Sequence, residues 1–129
     1  MTNVMRTKIQ RDLVLAFARV HVLHHAAEGP IFGLEMMEEL RRHGYELGPG
    51  TLYPVLHALE EDGILISKHE LINGKRRRYY RSTRAGIALL NELRAMILEL
   101  VDEVTASSSK HRLAHETIYR QDSPKPKAR

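Results

Sequence analysis

The sequence predicts a mainly α fold that carries one two-stranded β-hairpin and ends in a long C-terminal helix. Three observations lead there. Apolar residues recur at spacings of three and four in four separate stretches, as amphipathic helices require. One segment, ILISKHELI (64–72), is instead β-branched and partly alternating. Asn73-Gly74 follows it directly, the strongest short hairpin signal.

Each element can be justified in order. Ile9, Leu13, Ala16, Phe17, Val20, Leu23 and Ala27 mark a helix over 9–28, stopped by Glu28-Gly29-Pro30. Leu34, Met37 and Leu40, with Met36 beside them, mark a second helix over 33–43, and Gly44 suits its C′ position. The connector Tyr45–Gly48 is short, so the third helix, about 50–62, turns sharply away. Its stripe is Leu52, Val55, Leu56 and Leu59, and Gly63 closes it. With Thr51 as N-cap, Pro54 falls in the first turn, where a missing N–H costs nothing. The return strand is KRRRYYRS (75–82). Alternation puts Arg76, Arg78 and Tyr80 on one face and Arg77, Tyr79 and Arg81 on the other. One tyrosine is therefore expected in the core and the other at least half exposed. Thr83 caps a fourth helix to about Val104. Within it Gly86, Leu90, Leu93, Ile97, Leu100 and Val104 form a coiled-coil-like seam that a single helix has nothing to bury against. Ser107–Ser109 is expected to loosen the chain before a short helical extension to about Tyr119, and RQDSPKPKAR (120–129) reads as disordered.

Three helices with a sharp turn before the third, then a hairpin, make the winged helix-turn-helix plan, here followed by a long C-terminal helix. The expected division is a winged helix-turn-helix at 9–82, a long C-terminal helix at 83–106, and an extension and flexible tail at 107–129.

The bulk composition narrows the function. A chain of 129 residues suits one domain, and 43% hydrophobic with 28% charged residues is ordinary globular composition. No apolar run is long enough to span a membrane, and the N-terminal segment lacks the apolar core of a signal peptide. With no cysteine there is neither disulfide nor thiolate metal site, and a cytoplasmic location is expected. The net charge of +4 directs attention to where the excess sits.

It sits in the hairpin. Lys75, Arg76, Arg77, Arg78, Arg81 and Arg84 fall between Leu71 and Asn91 with no acidic residue among them. An isolated charge run is often mere solvated surface. At the tip of a hairpin behind a helix-turn-helix, arginines suit phosphate, because guanidinium donates bidentate hydrogen bonds. The third helix leaves Thr51, Tyr53, Pro54 and His57 off its apolar stripe, a surface able to meet base edges and thymine methyls. Double-stranded DNA is the expected partner. A protein-interaction module that kept the winged fold without DNA binding is the alternative, although it has no need of an acid-free basic wing. An enzyme is not expected: the sequence shows no nucleophile, acid–base pair or phosphate-binding glycine loop.

Eight histidines are many for this length, and three stand in HVLHHAAE. His21 and His25 are four residues apart on one helical face, which Glu28 continues. Two readings are open. The histidines pack and hydrogen-bond at the end of the first helix, as such pairs commonly do. Alternatively His21, His25 and Glu28 bind a divalent ion, with a fourth ligand from elsewhere. No cofactor is otherwise required.

The stretches GPGTLYPVLHALEEDGIL (48–65) and NGKRRRYYRSTRAG (73–86), and more loosely HHAAEGPIFGLEMMEEL (24–40), resemble the PadR family of transcriptional regulators, in its short subtype. The resemblance covers about residues 10–104. It implies a winged helix and a homodimer joined through the first and last helices, with Leu90, Leu93, Ile97, Leu100 and Val104 at the seam. It also implies a palindromic operator, usually repressed until a small-molecule or metal effector arrives. Thr51, Tyr53, Pro54 and His57 match the family's recognition helix, and Lys75, Arg76, Arg77 and Arg78 its wing. The family's usual His-Gly-Tyr-Glu is Phe32-Gly33-Leu34-Glu35 here, and Gly48 replaces a common capping serine.

Overall fold

A computed structural model of the protein describes residues 6–114, with side chains through residue 106. The order is α1 (Lys8–Glu28), α2 (Gly33–Arg42), α3 (Pro49–Glu61), β1 (Leu65–Ile72), β2 (Lys75–Ser82) and α4 (Arg84–Ala114). This is the expected mainly α winged helix. Thr7 and Gln10 form a capping box that starts α1. Helices α2 and α3 both end in Schellman turns. Tyr45 N–H reaches the Leu40 carbonyl at 2.9 Å, and Ile64 N–H reaches Leu59 at 2.9 Å. Gly44 and Gly63 supply the positive φ that each turn needs. The hairpin turns on Asn73 (φ 51°) and Gly74 (φ 78°), and Ile72 pairs with Lys75 across it.

Helix α3 begins earlier than the stripe suggests. Gly48, in extended conformation, is the N-cap and Pro49 opens the helix, so Thr51 lies inside the first turn rather than capping it. Pro54 is then inside the helix, and the bond its N–H would have given to the Gly50 carbonyl is lost.

The core gathers Ala18, Val22 and Ala26 from α1, Met36 and Leu40 from α2, Leu52 and Leu56 from α3, Leu65 from β1, Tyr80 from β2, and Ile31. Two expectations are corrected here. The inward face of α1 is this line of small residues, whereas Ile9, Leu13, Ala16 and Ala27 of the stripe are exposed. At 100° per residue the two faces lie roughly 145° apart around the helix. Both tyrosines are buried, Tyr79 at 4% and Tyr80 at 1% exposure. Ile31 pairs with Tyr80 through two backbone hydrogen bonds of 2.9 and 2.8 Å, so β2 has a neighbour on each side. Tyr80 faces the helices, while Tyr79 meets Phe32 edge to face at 5.5 Å between ring centres.

The start of α4 is locked to the end of α3. The Thr83 hydroxyl accepts from Gly86 N–H at 3.0 Å and donates to the Gly63 carbonyl at 2.6 Å. Gly86 is buried against the Ile64 carbonyl, and Leu90 is 2% exposed. The first compact unit therefore continues past the wing to Asn91, and a second begins at Glu92. Leu90, expected in the dimer seam, is spent within its own chain. Helix α4 also runs unbroken through Ser107–Ser109 to Ala114 instead of loosening there. The expected extension to Tyr119 and the tail at 120–129 lie outside the described residues.

Two glycine substitutions should separate in sign. A Cβ at Gly86 would stand 2.3 Å from the Ile64 carbonyl oxygen, which is backbone and has nowhere to go. Gly86→Ala should destabilise by about 1–3 kcal/mol in denaturant unfolding. Gly50, on helical backbone with open space around it, should accept alanine with a gain of about 0.5–1 kcal/mol.

Candidate nucleic-acid interface

The apolar stripe of α3 packs inward, with Leu52, Val55 and Leu56 buried, and this turns Tyr53, Pro54 and His57 outward. Thr51 is half-buried. A cleft of about 380 Å³ opens between the start of α2, the outer face of α3 and strand β2. Phe32, Gly33, Leu34, Tyr53, His57, Arg77, Arg78 and Tyr80 line it. Tyr53 lies so close over Gly33 that any Cβ there would stand 2.4 Å from its ring. The glycine at the head of α2 thus seats an aromatic of α3. Burial pushes the Tyr80 hydroxyl above its ordinary pKa.

Three of the wing arginines are held, each differently. The Arg77 guanidinium lies over the Phe32 ring, 4.0 Å from its centre, as a cation–π pair. Arg78 donates to the Ser67 hydroxyl at 2.8 Å and meets His69 Nε2 at 3.2 Å. Ser67 in turn donates to the Glu60 carboxylate, through its hydroxyl at 2.9 Å and its N–H at 3.1 Å. The last turn of α3 is thereby tied through β1 to an arginine of β2. Arg81 pairs with Glu70, which holds the Glu70 carboxyl below its usual range. Lys75 and Arg76 are exposed at the tip.

Of the DNA candidates, Tyr53, His57, Arg77 and Arg78 come together in the cleft. Thr51, Pro54, Lys75 and Arg76 do not line it. Sequence reasoning undervalued Phe32 and Leu34. The available signal was an aromatic and a leucine flanking Gly33, just before a short helix. Leu34 is 57% exposed.

Among the seam residues of α4, Leu93 and Ile97 are half-buried, while Leu100 and Val104 are 50% and 55% exposed. Met96, Leu98 and Val101, which the seam did not include, are also exposed. On α1, Ile9 and Leu13 remain at the surface.

The histidines divide into two groups. His21 meets His43 with its ring tilted, 4.5 Å between ring centres, and meets Tyr45 edge-on at 5.5 Å. Burial, then the nearby His43 and His25, lower its pKa. It therefore packs between α1 and α2 and is not among the ligand-like trio. Among the described residues that trio is His24, His25 and Glu28, whose ligand atoms lie within 4.8 Å of one another. His24 Nε2 stands 3.5 Å from Glu28, and His25 Nε2 stands 3.4 Å from Glu39 on α2. Arg42 and His43 hydrogen-bond Glu39 and hold its carboxyl below the usual range. No helix of the described residues is long and apolar enough to cross a membrane.

Comparison with known proteins agrees with this arrangement. The Transcriptional regulator PadR-like family matches residues 22–92. The chain is 48% identical over 99 residues to Transcriptional regulator Rv3488 of Mycobacterium tuberculosis, covering 77% of this chain and 92% of that one. The crystal structure of a PadR family transcriptional regulator from Eggerthella lenta superposes with a TM-score of 0.66 at 31% identity, over 78% of this chain and 89% of that one. A transcriptional regulator from Clostridium thermocellum gives 0.61 at 28% identity, over 73% and 94%. With its helices, its hairpin and more than half its length matched in this way, the chain belongs to the PadR-like family of transcriptional regulators.

Proposed function

We propose that this chain is a cytoplasmic, homodimeric repressor that binds a palindromic operator in double-stranded DNA and is released by an effector. The observation that carries this reading is the cleft in which the outer face of α3 meets two wing arginines. Helix α3 enters the major groove, with Tyr53 and His57 toward base edges and Thr51 and Pro54 beside them. Arg77 and Arg78 flank it, and Lys75 and Arg76 reach phosphate or the minor groove. The exposed apolar residues of α1 and α4, Ile9, Leu13, Leu98, Leu100 and Val104 among them, support a dimer made through those helices. Leu93 and Ile97 complete the seam. The two heads then meet half-sites about 34 Å apart.

Fluorescence anisotropy on DNA from upstream of the protein's own gene tests the reading. If six to ten phosphates are contacted, affinity should fall by about 10³–10⁵ between 50 and 200 mM salt. A salt-independent affinity, or equal affinity for every sequence, overturns it.

The division of labour is separable. Lys75→Ala with Arg76→Ala should weaken all sequences alike and reduce the salt slope by about one per lost contact. His57→Ala should instead cost about 1–3 kcal/mol of preference for the operator over other DNA. Gly33→Ala should imitate Tyr53→Ala in that assay, since the new methyl evicts the ring, with little change in melting temperature because the ring can swing into solvent. Leu100→Glu with Val104→Glu should shift the protein to monomer in analytical ultracentrifugation, and operator affinity should fall with it.

A further inference from the structure

We propose that Leu34 reads the 5-methyl group of one pyrimidine in each half-site of the operator, a group that unmodified DNA carries only on thymine. Part of the sequence preference is then set from α2 rather than from α3. The inference rests on the regulator reading above and adds to it a residue outside both α3 and the wing.

Leu34 turns away from the core. At 100° per residue it lies roughly 160° around α2 from Met36 and roughly 120° from Leu40, the side chains which that helix buries. It is 57% exposed and lines the cleft between α2, α3 and β2. The Tyr53 ring lies over the neighbouring Gly33, and Phe32 stands on the other side of that glycine. Three apolar surfaces therefore border one opening. His57, Arg77 and Arg78 border it too. Arg77 is held 4.0 Å from the centre of the Phe32 ring, and a contact with a π face leaves the guanidinium charged and able to donate.

Apolar side chains beside cations match one feature of duplex DNA. The base edges in the major groove present hydrogen-bond donors and acceptors, and the one alkyl group among them is the thymine methyl. That methyl stands at the outer side of its base, next to the phosphates of its own strand. A reader of it needs an apolar contact with positive charge close by, which is the arrangement of the cleft. Leucine carries no donor or acceptor, so it cannot sort base edges by hydrogen bonding. What it can do is bury a methyl. Tyr53 and His57, which carry polar atoms, remain the readers of polar edges. Burying one methyl is worth roughly fourfold in affinity, so two half-sites together give roughly fifteenfold.

The test starts from duplexes enriched out of a random pool by the wild-type full chain. Each thymine of the enriched operator is replaced in turn by deoxyuridine, which removes the methyl and nothing else, and affinity is read by fluorescence anisotropy. One symmetry-related position should lose about fourfold when altered in one half-site and about fifteenfold in both. Leu34→Ala should bind the thymine and uracil duplexes equally at that position. Leu34→Met, which keeps an apolar chain of similar reach, should preserve the difference. Leu34 is exposed, so both variants keep their fold, which circular dichroism checks. The assignment is overturned if no thymine costs more than about twofold, half of what one buried methyl supplies. It is equally overturned if Leu34→Ala weakens both duplexes and leaves their ratio unchanged. Equal recovery of every sequence from the pool overturns the regulator reading, and this assignment with it, whereas an enriched operator with no sensitive thymine overturns the assignment alone.

Discussion

Two backbone hydrogen bonds between Ile31 and Tyr80 hold the wing to the helices. Without them β1 and β2 would be an isolated hairpin, which is marginal in water. With them β2 becomes an inner strand, Tyr80 joins the core, and Tyr79 closes against Phe32. Everything at the cleft between α2, α3 and β2 inherits its position from this pairing. Phe32 and Gly33 follow Ile31 in the chain, Arg77 and Arg78 precede Tyr80 on β2, and Tyr53 settles on Gly33.

A second link reinforces the first from the other side. Glu60 and Ser67 join the end of α3 to Arg78 by way of β1. Helix α3 and the wing are thus coupled through side chains as well as through the core. Neither link is costly to maintain, because each polar atom in it finds a partner; among the described residues no buried side-chain nitrogen or oxygen lacks one.

The parts of the fold that were legible in the sequence are those where one periodic face meets one core. The stripe of α3, the Asn73-Gly74 turn and the glycine stops of α2 and α3 each have a single local cause. Helix α1 misleads because it has two faces. Its own core takes small residues, Ala18, Val22 and Ala26, while the larger Ile9 and Leu13 dominate the pattern and stay outside. The tyrosines mislead because alternation assumes a solvent face, and the strand-like pairing of Ile31 comes from a distant linker with no local signal. His21 and His24 differ by less than one helical turn. Only the position of His43 and Tyr45 shows that the first packs inward and the second joins His25 and Glu28. The basic wing was visible as charge, yet the restraint of Arg77 by Phe32 depends on the fold.

The two-residue turn at the wing tip limits how relatives of this protein can vary. The base of the hairpin is pinned where Tyr80 meets Ile31, so growth occurs only toward the tip. A matched residue added to each strand lengthens the reach by about 3.4 Å and sends the tip side chains to the opposite face. Only a step of two such pairs, about 6.8 Å, restores the original orientation. Wing length and the face to which its tip cations point are therefore inherited together, and lineages should differ in paired insertions rather than single ones.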